Sequence, residues 1–120
     1  MRRVLPLIAF MVSVQIGAAQ LATSDGTGVN VRALDKLTGQ VADLTIPNTQ
    51  SATIGRINIA VSECRYPQGN PAGEAYAALT ITEVGAEGPV FQGWMIASSP
   101  ALNPMDHARY DVWVLRCTTS

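Results

Sequence analysis

The chain has 120 residues with a net charge of −1, and 48% of them are hydrophobic. That length is one ordinary domain. The charge is mildly acidic with no basic cluster, so there is no electrostatic footprint for nucleic acid or anionic lipid.

The first element is a targeting segment. Arg2 and Arg3 supply a positive start, Val4 to Ile16 is uncharged and mostly apolar, and Gly17-Ala18-Ala19 places small residues where a signal peptidase reads. The spacing predicts a signal peptide over 1–19. The apolar run is shorter than the roughly 20 residues of a membrane span. No cysteine follows it to carry a lipid, and the arginine pair lacks the flanks of a twin-arginine signal. Ordinary export to the periplasm is the expectation, with no transmembrane segment left in the mature chain. Without Arg2 and Arg3, six basic residues face nine acidic ones.

Residues 20–28 are polar and glycine-containing and read as a flexible arm, followed by a single β domain over 29–120. Val29, Val31 and Ala33 alternate with Asn30, Arg32 and Leu34, a strand pattern. Asp35 to Gly39 reads as a hairpin turn. Val41 to Ile46 returns as a second strand, stopped at Pro47-Asn48, and Ala52 to Ile54 is a short third piece. Ile57, Ile59 and Val61 give the clearest period-2 run. Cys64 falls on the polar parity of that run, so either a bulge near Glu63 turns it inward or it lies on the outer face.

Tyr66 to Gly73 is a turn-rich loop whose prolines and glycines suit turn geometry. Ala75 to Val84 is the next strand, and Gly85 to Pro89 a turn. Val90 to Ala97 is apolar on both parities apart from Gln92, as a central strand is. Ser99 is a good N-cap and Pro100 suits the first helical position, so one helical turn is expected there. Tyr110 to Cys117 is the last strand. About six or seven short antiparallel strands make an all-β domain, a small barrel or sandwich.

Cys64 and Cys117 are the two cysteines. In an exported chain they read as one disulfide, closing a loop of about 54 residues. The rival reading, a metal or redox pair, lacks a CxxC spacing, and the single His107 does not complete a usual zinc set. No phosphate loop, calcium loop or metal cluster is present, and no cofactor is implied.

The candidate functional residues gather late in the chain. Ser98, Ser99, Asp106, His107 and Asp111 are the residue types of a hydrolytic triad, but Gly-x-Ser-x-Gly is absent, and serine and aspartate also serve turns and caps. Trp94 and Trp113, if exposed, would stack on a sugar ring or anchor a partner. Trp94 shares a parity with Val90 and Ile96, and Trp113 with Leu115 and Cys117, company that favours the core. The loop from Ser98 to Arg109 has 12 residues where hairpin loops have about 2 to 5. Its turn signal at Ser99-Pro100, Pro104, Leu102 and Met105 mark it as ordered. Asn103, Asp106, His107 and Tyr110 then either present polar groups outward or satisfy the loop's own backbone.

Two stretches, "CRYPQGNPAGEAYAALTI" and "GWMIASSPALNPMDHARYDVWVLRC", closely resemble the bacterial domain of unknown function family 2155, found mainly in alphaproteobacteria. The resemblance spans roughly Val29 to Cys117. Its specific part is the Trp94 to Asn103 run followed by His107, Tyr110-Asp111-Val112-Trp113-Val114 and Cys117. Members often carry proline after the histidine, where this chain has Ala108. The resemblance implies a small exported β protein, encoded near an accessory subunit of respiratory complex I, and no reaction, ligand or catalytic residue.

Three functions are then open. One is a non-catalytic binding or assembly module for an envelope complex, or for a small ligand, using Trp94, Ser98, Ser99, Asn103, Asp106, His107, Tyr110 and Asp111. The second is an envelope hydrolase built on His107, and the third a purely structural role.

Overall fold

A computed structural model describes residues 22–119. The signal-peptide reading of 1–19 lies outside the described residues. Eight strands run in chain order: β1 (Thr23–Asp25), β2 (Gly28–Asp35), β3 (Val41–Pro47), β4 (Ser51–Ile54), β5 (Ile57–Pro67), β6 (Tyr76–Glu83), β7 (Phe91–Ile96) and β8 (Tyr110–Thr118). All pairings are antiparallel. One sheet has the order β1-β5-β6-β7, with β4 also on β5, and the other has the order β3-β2-β8. The sheets stay open and pack as a sandwich. Val29, Val31, Ala33, Ile46, Val112 and Val114 of the smaller sheet share one core with Ile57, Ile59, Leu79, Ile81, Phe91 and Met95 of the larger. Each is the apolar half of a period-2 pattern, so burying that face is what selects the register.

Three expectations are corrected. Residues 23–25, read as part of a flexible arm, pair with Arg65 to Pro67 of β5. Their segment is polar, and Arg65 ties it down through the Thr23 hydroxyl at 3.2 Å and the Asp25 carboxylate at 3.6 Å. The turn after Ser99 is not a helix: Leu102 N–H donates to Ser99 C=O at 3.0 Å and the pattern stops there. Pro104 has no N–H with which to continue it. Val90 to Ala97 is not central, because β7 pairs only with β6. Its second apolar face is exposed surface and not a second buried face.

Cys64 and Cys117 form a disulfide with Cα atoms 5.7 Å apart, joining β5 to β8 across the core. Two bulges make this possible. In β5, Val61 faces Leu79 and Glu63 faces Ala78, so Ser62 is skipped. In β8, Arg116 faces Asn30 and Val114 faces Val31, so Leu115 is skipped. Each inserted residue reverses the alternation beyond it and turns a cysteine from the outer face to the inner one. Gly26, between β1 and β2, crosses from sheet to sheet against this bridge. Its N–H donates to Cys64 C=O at 2.7 Å. A Cβ there would sit 2.8 Å from Thr118 O and 2.9 Å from Cys117 Cβ.

The loop this bridge closes spans 53 positions. Replacing both cysteines by serine is expected to lower the unfolding free energy by about 4 kcal/mol. Urea titration of the wild type and the double variant measures it, and coincident midpoints would contradict the role assigned to the bridge.

Candidate functional site

β7 and β8 are edge strands of different sheets, so the chain between them must cross one open side of the sandwich. The crossing is fixed at each step. Glu74 receives the Ser98 N–H at 2.9 Å and the Ser98 hydroxyl. Asn103 donates its side-chain amide to Trp94 C=O at 2.9 Å, which covers part of the exposed edge of β7. Gly93, at φ +151, leaves room for that amide. Met105 is buried in the core.

His107 Nδ1 accepts two backbone N–H groups, from Arg109 at 2.9 Å and Tyr110 at 3.0 Å. The ring proton therefore sits on Nε2, which meets the Glu83 carboxylate. Lys36 donates to His107 C=O at 2.7 Å. Arg109 makes a two-pronged pair with Asp35 at 3.1 and 2.9 Å. Tyr110 is 1% exposed, and its hydroxyl accepts the Arg56 N–H at 3.0 Å. A Cβ on Gly55 would collide with that hydroxyl.

These contacts settle where the candidate residues lie. Asn103, His107 and Tyr110 serve the protein's own backbone, and Tyr110 is too buried to belong to a contact surface. Ser98 is exposed but bonded to Glu74. Ser99 and Asp106 are exposed, and Asp111 is partly exposed on the outer face of β8. Trp94 is 43% exposed, against the core reading. Phe91 and Met95 hold the inner face of β7, leaving Trp94 and Ile96 on the outer one, opposite Ala78 and Tyr76. Trp113 is partly buried on the outer face of β8, opposite Arg32.

The hydrolytic arrangement is not formed. No serine hydroxyl bonds to His107 among the described residues; its ring atoms are taken by Glu83 and two backbone groups. Among the described residues no group of three or more His, Cys, Asp or Glu side chains is placed to hold a metal ion. No described helix is long and apolar enough to cross a membrane.

Sequence reasoning missed the anchors, Glu74, Glu83, Arg56 and Asp35. It also missed a shallow cleft of about 320 Å³ between the loop and β8, lined by Pro100, Ala101, Pro104, Asp111, Val112 and Trp113.

Asp35 is 6% exposed and carries the charge on which the loop's far end depends. The Arg109 guanidinium outweighs burial and, with the Leu37 and Thr38 N–H groups, holds its carboxyl down to about 2 from an ordinary 3.8. Burial raises the Glu74 carboxyl, but the Ser98 hydroxyl and N–H outweigh it and hold the group below its usual range. A depressed carboxylate contributes stability that is complete above its unfolded pKa and is lost as pH falls through its folded one. The stability difference between wild type and Asp35→Asn is therefore expected to be constant above about pH 5 and to shrink between about pH 4 and 2. Urea midpoints across that range test it, and a gap that persists at pH 2 would contradict the assignment.

Comparison with known proteins places this architecture. Over 99 residues the chain is 30% identical to the uncharacterized protein RP359 of Rickettsia prowazekii (strain Madrid E). The match covers 76% of this chain and 61% of that protein, so the chain spans about three fifths of its relative's length. No solved structure gives a significant match. Residues 29–117, which run from the first core residue of β2 to the second half of the disulfide, match the family described as "Uncharacterized protein conserved in bacteria (DUF2155)", and the chain belongs to that family.

Proposed function

We propose that this protein is an exported, non-catalytic contact module of the bacterial envelope, and that it docks a protein partner through the side of the sandwich that carries Trp94. The observation that carries the reading is Trp94 itself, 43% exposed on the outer face of an edge strand. Ile96 and Tyr76 share that face, and Leu102, 71% exposed, stands on the adjoining loop. Aromatic anchors of this kind dominate interface energies. The loop beside them is pinned by the Ser98–Glu74, Asn103–Trp94 and His107–Glu83 contacts, so the surface it presents is preformed. Such a surface has little conformational freedom left to lose on docking.

The disulfide supports an oxidising compartment, and with it the periplasm. The family resemblance makes a respiratory envelope complex the first partner to test. Among the described residues no serine hydroxyl meets His107, whose ring atoms are taken by Glu83 and two backbone N–H groups, so the hydrolase reading gains no support from this loop.

The test is co-purification of a tagged copy from the native envelope, with Trp94→Ala beside a control on the other sheet, Val41→Ser, whose side chain is also exposed. Trp94→Ala should leave the melting temperature within a degree or two and weaken partner binding by about 30-fold or more. Val41→Ser should bind as wild type. Retention of the partner by Trp94→Ala, or the absence of any stoichiometric partner, would overturn the reading.

A further inference from the structure

We infer that the cleft between the loop and β8 is a subsite for an arginine side chain of a partner protein. Three observations converge on that chemistry. The first is the wall: Pro100, Ala101 and Pro104 on the loop side, Val112 and Trp113 on the strand side. Proline has no N–H, so this wall is poor in the backbone donors an anion needs, while the indole offers a face on which a flat cation stacks.

The second is Asp111, the one carboxylate in the lining. It has no hydrogen bond or ion pair among the described residues. Its cross-strand neighbour is Leu34, which cannot neutralise it. The nearby guanidinium groups are already committed: Arg109 is held two-pronged by Asp35, and Arg32 by Asp43 at 2.8 and 3.0 Å. The cleft therefore carries a negative charge that the fold does not answer.

The third is size. About 320 Å³ lies at the lower end of ligand pockets, enough for one long side chain and too little for an extended ligand. Among cationic side chains, a planar guanidinium uses both features at once, stacking on the indole and pairing two-pronged with the carboxylate. The subsite lies on the smaller sheet, apart from Trp94, and it stands whether or not the Trp94 face contacts anything.

The experiment is an amide and indole NMR titration with n-butylguanidinium, against n-butylurea as a neutral probe of the same shape. The cation should shift the Trp113 indole N–H and the Ala101 and Asp111 amides saturably in the millimolar range, leaving the Trp94 indole in place. The urea should not. Asp111→Asn, which removes a charge that no fold contact uses, should weaken the cation by on the order of fivefold. Equal shifts from the two probes, no saturable shift at Trp113, or an unaltered affinity in Asp111→Asn would each overturn the inference. Binding of the cation by a protein whose partner is retained in Trp94→Ala would leave the subsite standing and overturn only the Trp94 contact reading, whereas the absence of any partner would overturn both.

Discussion

A disulfide between two packed sheets requires both cysteines to point into the same interior. Here neither strand's alternation would bring that about. In β5 the inward residues are Ile57, Ile59 and Val61, which places Cys64 outward; in β8 they are Tyr110, Val112 and Val114, which places Cys117 outward. The two bulges correct both parities, and the rest of the architecture follows. The chain between β1 and β2 must pass the bridge, and only a residue without a side chain fits there. Gly26 does so and bonds to Cys64 C=O while Thr27 bonds to Thr118 C=O. β8 is pinned again at its other end, where the Tyr110 hydroxyl closes on the turn between β4 and β5. One strand of the smaller sheet is thus held at both ends, covalently to β5 and by a partly buried hydrogen bond to the turn that precedes β5.

That fixation explains the character of the long loop. With β7 and β8 as fixed edges of different sheets, the connection has to span the open side of the sandwich, and its buried backbone groups need partners. Asn103, His107 and the Asp35–Arg109 pair supply order at successive points. A histidine whose Nδ1 accepts two backbone N–H groups and whose Nε2 faces a carboxylate acts as a bracket. What remains for the outside includes apolar area at Trp94 and Leu102 and the carboxylates of Asp106 and Asp111, which make no hydrogen bond or ion pair among the described residues.

Much of this was legible in the sequence, and the gaps have physical causes. The strands with one apolar parity, β2, β3, β5 and β6, were placed well, and the wrong parity of Cys64 pointed to the bulge beside it. Cys117 carried the same information. It was hidden because Trp113 and Leu115 on the outer parity are as apolar as Val112 and Val114 on the inner one. The ambiguity at β7 has the same origin: Trp94 and Ile96 compete with Phe91 and Met95, and Gly93 gives the inner face no side chain to declare it. β1 has no apolar pattern because backbone pairing and Arg65 hold it, so no periodicity could announce it. The loop was recognisable by its length. Its anchors were not, because Glu74 and Glu83 lie 24 residues from their partners, and Arg56 lies 54 from Tyr110.

Ala108 shows how this fold divides labour between residue type and contact. The family resemblance leads one to expect proline after the histidine, where a fixed φ would stiffen the chain entering β8. In this chain that position is an exposed alanine, yet the segment is not loose. His107 Nδ1 gathers the next two N–H groups, Lys36 holds the His107 carbonyl, and Arg109 is clamped by a carboxylate kept ionised well below neutral pH. Hydrogen bonds do here what a pyrrolidine ring would do covalently. None of these bonds uses the Ala108 N–H, so a proline at 108 would remove no donor from them. The restraint at this corner therefore comes from His107 and Asp35, while the direction in which Asp111 and Trp113 face outward is set by the register of β8 on β2.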